Sequence, residues 1–274
     1  MPGLAQARLV LQQQNVIERG VASCDLERVS GQAWVRCRAA GIADDVPFAT
    51  KPELAWRMIE RAADAGVPFA WVTGDEVYGG TPKLRRRLEE RRLPYVMAVA
   101  CSEPVAVQAG SFRADDLAAL VPAGAWQRLN CADGSKGPRL YDWALIETAD
   151  AGHWLLARRS LNRNARGELE LAFFRCWSPR PVTLAELVAV AGARWGVEDC
   201  FSEAKNETGL DHYQVRKYQA WYRHVTLSML AHAFLAVTAH ATRPEPTASG
   251  NDSGEPAKKG TRGLWTDLRP AEDI

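Results

Sequence analysis

Apolar and polar positions change period along this chain, and each change marks an element. Residues 50–66 predict a helix over 52–65, with Thr50 as N-cap, Glu53 at the capping-box offset and Gly66 as C-cap. The run VPFAWVTG at 67–74 is continuously apolar, the pattern of a strand buried on both faces. It delivers Asp75 at its C-terminal end, where open α/β sheets present ligands and catalytic groups. TGDEVYGG then turns, a second helix covers 82–92, and PYVMAVA at 94–100 reads as the next strand. Strand, acid, helix and strand make a parallel βαβ unit.

At 191–213 the period is helical. Val190, Val197, Phe201 and Ala204 form an apolar stripe, while Asp199, Glu203 and Asn206 point away. On the border, Arg194, Glu198 and Lys205 fall within about 40° of each other around the axis. A carboxylate held between two cations at a core edge can reach a metal ion while the cations hold a phosphate, which suggests phosphodiester chemistry. The plain alternative is an ordinary i,i+4 ion pair on a solvated face. This helix is expected to end by Gly209. Another follows over 214–240, with Trp221, Val225, Met229, Ala233 and Val237 on its buried side. His212, His224 and His232 read as packed or capped imidazoles, and no zinc site is expected.

Between these units the segments 126–129, 141–147, 153–157 and 169–177 suggest strands separated by turns such as 132–137. This β-rich stretch carries Lys136, Arg139, Arg158, Arg159, Arg163 and Arg166 beside Trp143, Trp154 and Trp177. Basic groups alternating with aromatics can track a DNA backbone, although at least two of these tryptophans read as strand core. The run KLRRRLEERR at 83–92 reads as a solvated helix face. Residues 1–33 show no clear strand, and the tail rich in Pro, Gly and Ser at 241–274 reads as disordered.

Composition narrows the picture only modestly. With 274 residues the chain can bury a sizeable core. A net charge of +1 means that any nucleic-acid affinity must come from local clusters. Six scattered cysteines, without C-x2-C pairs, read as reduced core residues of a cytoplasmic protein. The apolar run at 227–239 is too short for a bilayer and carries His232, so no membrane partner is expected. No export signal is visible.

The block RWGVEDCFSEAKNETGLDHYQVRKYQAWYRHVTLSMLAHAFLAV resembles the C-terminal part of DDE transposases of bacterial insertion sequences. Arg194, Glu198 and Lys205 match a Y-x2-R-x3-E-x6-K signature of one superfamily, whose first position falls here on Ala191. WVTGDEVYG is similar to the family's second-carboxylate block, which maps a catalytic Asp onto Asp75, with Glu76 as a charged neighbour. The resemblance implies an α/β, RNase H-like core interrupted by a β-rich insertion. It implies Asp75 and Glu198 as catalytic metal ligands for Mg²⁺, with Mn²⁺ as substitute, and Arg194, Lys205 and Trp195 as DNA contacts. The DNA would be the element's terminal inverted repeats, cut and transferred by a dimer. The chain divides accordingly into a divergent segment (1–33), the first part of the core (34–103), the insertion (104–181), C-terminal core helices (182–240) and the tail (241–274).

One part of the pattern is missing. The family's first Asp lies on the first strand of its sheet, yet Glu18, Asp25 and Glu27 sit in no strand-like run. The first three strands are therefore expected to be absent, predicting an inactive, N-terminally truncated copy. The readings that follow are an active DNA-strand transferase whose first Asp comes from an upstream segment, a non-catalytic remnant that binds DNA or a partner, and a generic metal nuclease. For a shared metal pair, the Asp75 and Glu198 carboxyl groups should converge to within about 8 Å.

Overall fold

The structure is a computed structural model that describes residues 8–11, 32–43, 49–134 and 137–242. Seven strands form one mixed sheet: β1 (Arg8–Leu11), β2 (Trp71–Gly74), β3 (Tyr95–Val99), β6 (Gln127–Gly134), β7 (Gly137–Glu147), β8 (His153–Arg163) and β9 (Leu169–Trp177). Their order is β1-β2-β3-β9-β8-β7-β6. A hairpin of β4 (Pro104–Val107) and β5 (Gly110–Arg113) stands apart. The helices are α1 (Gln32–Ala39), α2 (Lys51–Asp64), α3 (Glu76–Gly79), α4 (Pro82–Glu90), α5 (Ala114–Ala119), α6 (Leu184–Thr208) and α7 (Tyr218–Ala241). This mixed α/β architecture is consistent with an RNase H-like core.

Strand alternation sends neighbouring side chains to opposite faces, and the core divides along that line. Trp71 and Val96 pack with Trp143, Leu156 and Phe174 under Leu187, Val188, Val190 and Ala191 of α6. Val72, Tyr95 and Met97 face the other way, against Ala55, Trp56 and Ile59 of α2 and Leu84 and Leu88 of α4. The hairpin and α5 add Val105, Ala114 and Leu117 over Leu155, Ala157 and Phe173.

Local chemistry sets the boundaries. Thr50 caps α2 by accepting from the Glu53 amide at 3.4 Å, and Pro52 sits where its missing N–H costs nothing. The helix closes with Gly66 at φ +68, the Gly66 amide donating to Ala63 and the Val67 amide to Ala62. Val67 is committed to that closure and is half exposed, so the buried strand is Trp71–Gly74 rather than all of 67–74. The second helix, expected over 82–92, is α4, preceded by the extra turn α3. α6 stops at Gly209, whose φ of +63 suits the left-handed terminus.

Several expectations need correction. Residues before Trp34 do contain a strand: β1 lies parallel to β2, Leu11 opposite Gly74. Local propensity gave little sign of a strand only four residues long. The β-rich stretch expected between Asp75 and Glu198 extends the main sheet, because β9 pairs antiparallel with β3 from Tyr95↔Trp177 to Val99↔Phe173. The basic residues of this stretch, expected to be exposed, are not uniformly so, since Arg139, Arg158 and Arg159 are partly covered. Arg85, in the supposedly solvated run, is mostly buried in an ion pair with Glu103 at 3.0 Å. Cys37, Cys131 and Cys176 are core residues as expected, but Cys101 and Cys200 are exposed. Glu18, Cys24, Asp25, Glu27, Lys136 and the tail beyond 242 lie outside the described residues.

On α7 the expected burial also fails. Met229, Ala233 and Val237 are exposed, Trp221 and Val225 half-buried, and Leu230 and Phe234 are 64% and 68% exposed. The helix is anchored mainly at its start, where the Tyr218 amide donates to Ala40 and His224 Nε2 lies 3.1 Å from the Gly209 carbonyl oxygen. It is longer than the apolar run read from sequence. At 24 residues it is, by length and composition, the one helix among those described that could cross a membrane.

Helix α6 approaches the sheet closely at Gly192, where a Cβ would stand 1.9 Å from the Cys131 carbonyl oxygen. Gly192→Ala should destabilise the protein by about 1–3 kcal/mol through overpacking. Gly196, on the same helix with nothing within 4 Å of its Cβ position, should instead gain up to roughly 1 kcal/mol as Ala. Urea denaturation of the two variants checks this contrast.

Candidate functional site

Asp75 follows the last residue of β2, as expected. Its Oδ1 accepts from the Val77 amide at 2.9 Å, so the carboxylate caps α3. Two features fix that turn. Gly79 lies so near β3 that a Cβ would stand 1.9 Å from the Ala98 carbonyl oxygen, and Arg85 donates to the Gly79 carbonyl. Tyr78, buried beside Asp75, has its phenol pushed up to about 12 by burial and by the Asp75 charge. Glu76 is exposed.

Strand register tells which groups share this end of the sheet. β2 and β3 run parallel, so Gly74 and Val99 mark the same side. Val99 pairs with Phe173, Phe173 with Ala157, and the adjacent Arg158 with Trp143. Arg158, Trp143 and, further along β7, Tyr141 and Arg139 therefore extend from the end that carries Asp75. β9 leaves the sheet at the opposite end, at Trp177. α6 runs back from there until Trp195 stacks on Tyr141, with ring centroids 6.2 Å apart and an interplanar angle of 7°. Arg194 and Glu198 thus belong to the half of α6 that has returned toward the Asp75 end.

Arg194 Nη1 donates to Glu198 Oε1 at 3.5 Å, with Glu198 about half exposed. The plain i,i+4 reading describes this contact as it stands. Lys205 is exposed, and Ala191, at the signature's first position, is buried between α6 and the sheet. Trp195 does not present a free face, because Arg139, Arg158 and Arg194 lie 5.0, 5.3 and 6.0 Å from its ring centroid. Tyr141 was not among the expected site residues. Its signal is the alternation of Arg139, Tyr141 and Trp143 on one face of β7, which becomes informative only once α6 is known to cross there.

The metal expectation meets a shortfall. Among the described residues no group of three His, Cys, Asp or Glu lies close enough to hold a metal ion. β1, the strand beside β2, reads Arg8, Leu9, Val10 and Leu11 and brings no carboxylate. Asp75 and Glu198 supply hard oxygen ligands of the right kind, but they do not make up a three-carboxylate set.

Residues 8–118 match the sequence model of a family described as DDE superfamily endonuclease. The match runs from β1 through α5 and includes Asp75, ending before Arg194, Glu198 and Lys205. It supports a DDE-type transposase or endonuclease family, whose members act on DNA and use divalent metals, typically Mg²⁺. A comparison with curated proteins gave no match.

The cap and any catalytic role of Asp75 can be separated by substitution. Asp75→Asn should keep stability within a few tenths of a kcal/mol, because Asn caps as well as Asp, whereas Asp75→Ala should lose about 1 kcal/mol. Equal losses in urea denaturation would show that the contact to Val77 contributes nothing to the fold.

Proposed function

We propose that this protein is a DDE-type transposase domain that binds the terminal inverted repeats of an insertion sequence. In this reading Asp75 and Glu198 are two of its catalytic acids, and Arg194, Lys205 and Trp195 belong to the DNA-facing surface. The observation that carries the reading is Asp75 at the carboxyl end of β2, inside a parallel β1-β2-β3 unit within the segment that matches the DDE superfamily endonuclease model. The return of α6 to that end of the sheet, bearing Arg194 and Glu198, supports it further.

We further propose that the chain as given binds DNA but does not cut or join it. Such enzymes draw charge stabilisation of the attacking and leaving oxygens from metal ions held by three carboxylates. Among the described residues no third acid joins Asp75 and Glu198, so no cleavage step is assigned to these residues. The alternative of a non-catalytic DNA-binding protein therefore describes the present chain, and the transposase reading describes its scaffold.

The test uses purified protein, Mg²⁺ or Mn²⁺, and duplexes carrying the repeats that flank its gene. Affinity for duplex should fall steeply between 50 and 200 mM salt by counterion release, and the DNA should stay intact on a denaturing gel. Salt-independent or absent binding would remove the DNA-binding reading. Nicking that disappears in Asp75→Ala and Glu198→Ala would overturn the inactive reading and point to a third acid within 12–31, with Asp25 the first to substitute.

A further inference from the structure

Three guanidinium groups converge on the stacked Tyr141–Trp195 pair, and they differ from the other arginines of the sheet in how their charge is met. Arg159 is paired with Asp142 at 3.3 Å, and Arg128 reaches the same carboxylate at 3.1 Å. Arg158, one residue before Arg159, points to the opposite face. There its Cζ lies 4.5 Å from the Tyr141 centroid and 5.3 Å from that of Trp195. Among the described residues it makes no ion pair, and its buried Nε has no hydrogen-bond partner. Burial pushes its pKa down, opposed in part by Tyr141 and Cys131, while the nearby charge of Arg194 adds to the lowering and that of Glu170 opposes it. Arg139 approaches the same indole from β7 and Arg194 from α6. The cluster thus carries three positive charges, and Glu198, about half exposed and bonded to Arg194, is the acid paired with it among the described residues.

A partly buried guanidinium without an acid is unfavourable unless an anion completes it. Its planar fork of donors fits the paired oxygens of a phosphate, and the rings hold the fork in one orientation. We propose that Arg158, Arg139 and Arg194 form a seat for one backbone phosphate of bound DNA, at the Asp75 end of the sheet. The proposal rests on the DNA-binding reading above and adds to it the β7 and β8 residues that take the phosphate. Trp195 then acts as the platform under the arginines and not as a surface for a base.

Fluorescence anisotropy of a labelled duplex with the full chain, between 50 and 200 mM salt, tests this. Arg139→Gln and Arg158→Gln should each weaken binding roughly tenfold and lower the slope of log K against log salt by about one. Arg158→Lys should keep the slope and lose affinity, because charge remains while the fork is lost. Arg61→Gln, exposed on α2, should change neither. If Arg158→Gln does not fold, Arg139→Gln carries the test. A wild-type slope and affinity in Arg139→Gln and Arg158→Gln, with only a lowered melting temperature, would make the cluster structural and overturn the seat while leaving the DNA-binding reading intact. Inorganic phosphate that raises the melting temperature of the wild type but not of Arg139→Gln, without a change in DNA slope, would overturn the assignment to DNA in favour of a free anion. No duplex binding by the wild type at 50 mM salt would overturn both readings together.

Discussion

The seating of α6 on the sheet is the constraint on which the rest depends. Glycine at 192 lets the helix axis come down onto the Cys131 carbonyl, and Leu187, Val188, Val190 and Ala191 then close one face of the core. A helix held this near has its rotation fixed. The residues that follow Ala191 and Gly192, Arg194 and Trp195, must therefore meet β7 and β8, and Glu198 must follow one turn later. The position of the charged groups is a consequence of backbone packing rather than of any attraction between them.

On the opposite face the same principle operates at Gly79, which lets α3 lie against β3 and pins the turn that Asp75 caps. Arg85 extends the arrangement by joining the Gly79 carbonyl to Glu103. Two close approaches thus bring groups from distant parts of the chain to one end of one sheet. The charge left there is uneven: Asp75 is engaged with an amide, Glu198 with Arg194, and Arg158 stacks on aromatic rings without an ion pair among the described residues.

Much of this was legible in the sequence where local chemistry decides. The cap at Thr50, the Gly66 and Gly209 terminations, the parallel pairing of β2 with β3 and the delivery of Asp75 all follow from short-range pattern. Trp143 is buried in the core and Trp154 and Trp177 pack partly buried against it, in line with the reading of at least two of the three as strand core. What depends on distant partners was not legible. β1 is four residues whose strand character comes from the edge of β2, and the junction of β9 with β3 joins segments some 75 positions apart in sequence. For α7, an apolar pattern predicted a buried face, but its packing against α6 is confined to one end and leaves Phe234 and Val237 exposed. The site divides in the same way: the α6 motif is a local spacing, whereas Tyr141 and Arg158 become its neighbours only through the antiparallel register of β7 and β8.

In the proposed function, DNA lies across the Asp75 end of the sheet, on the side closed by α6. Amide hydrogen exchange of the free protein and of its complex with duplex DNA measures this directly, since bound backbone slows the exchange of the segments it covers. DNA bound there should slow exchange in β7, β8 and the second half of α6, with α2 and α4 unchanged. Slowed exchange confined to α2 and α4 would put the DNA on the opposite face and contradict it.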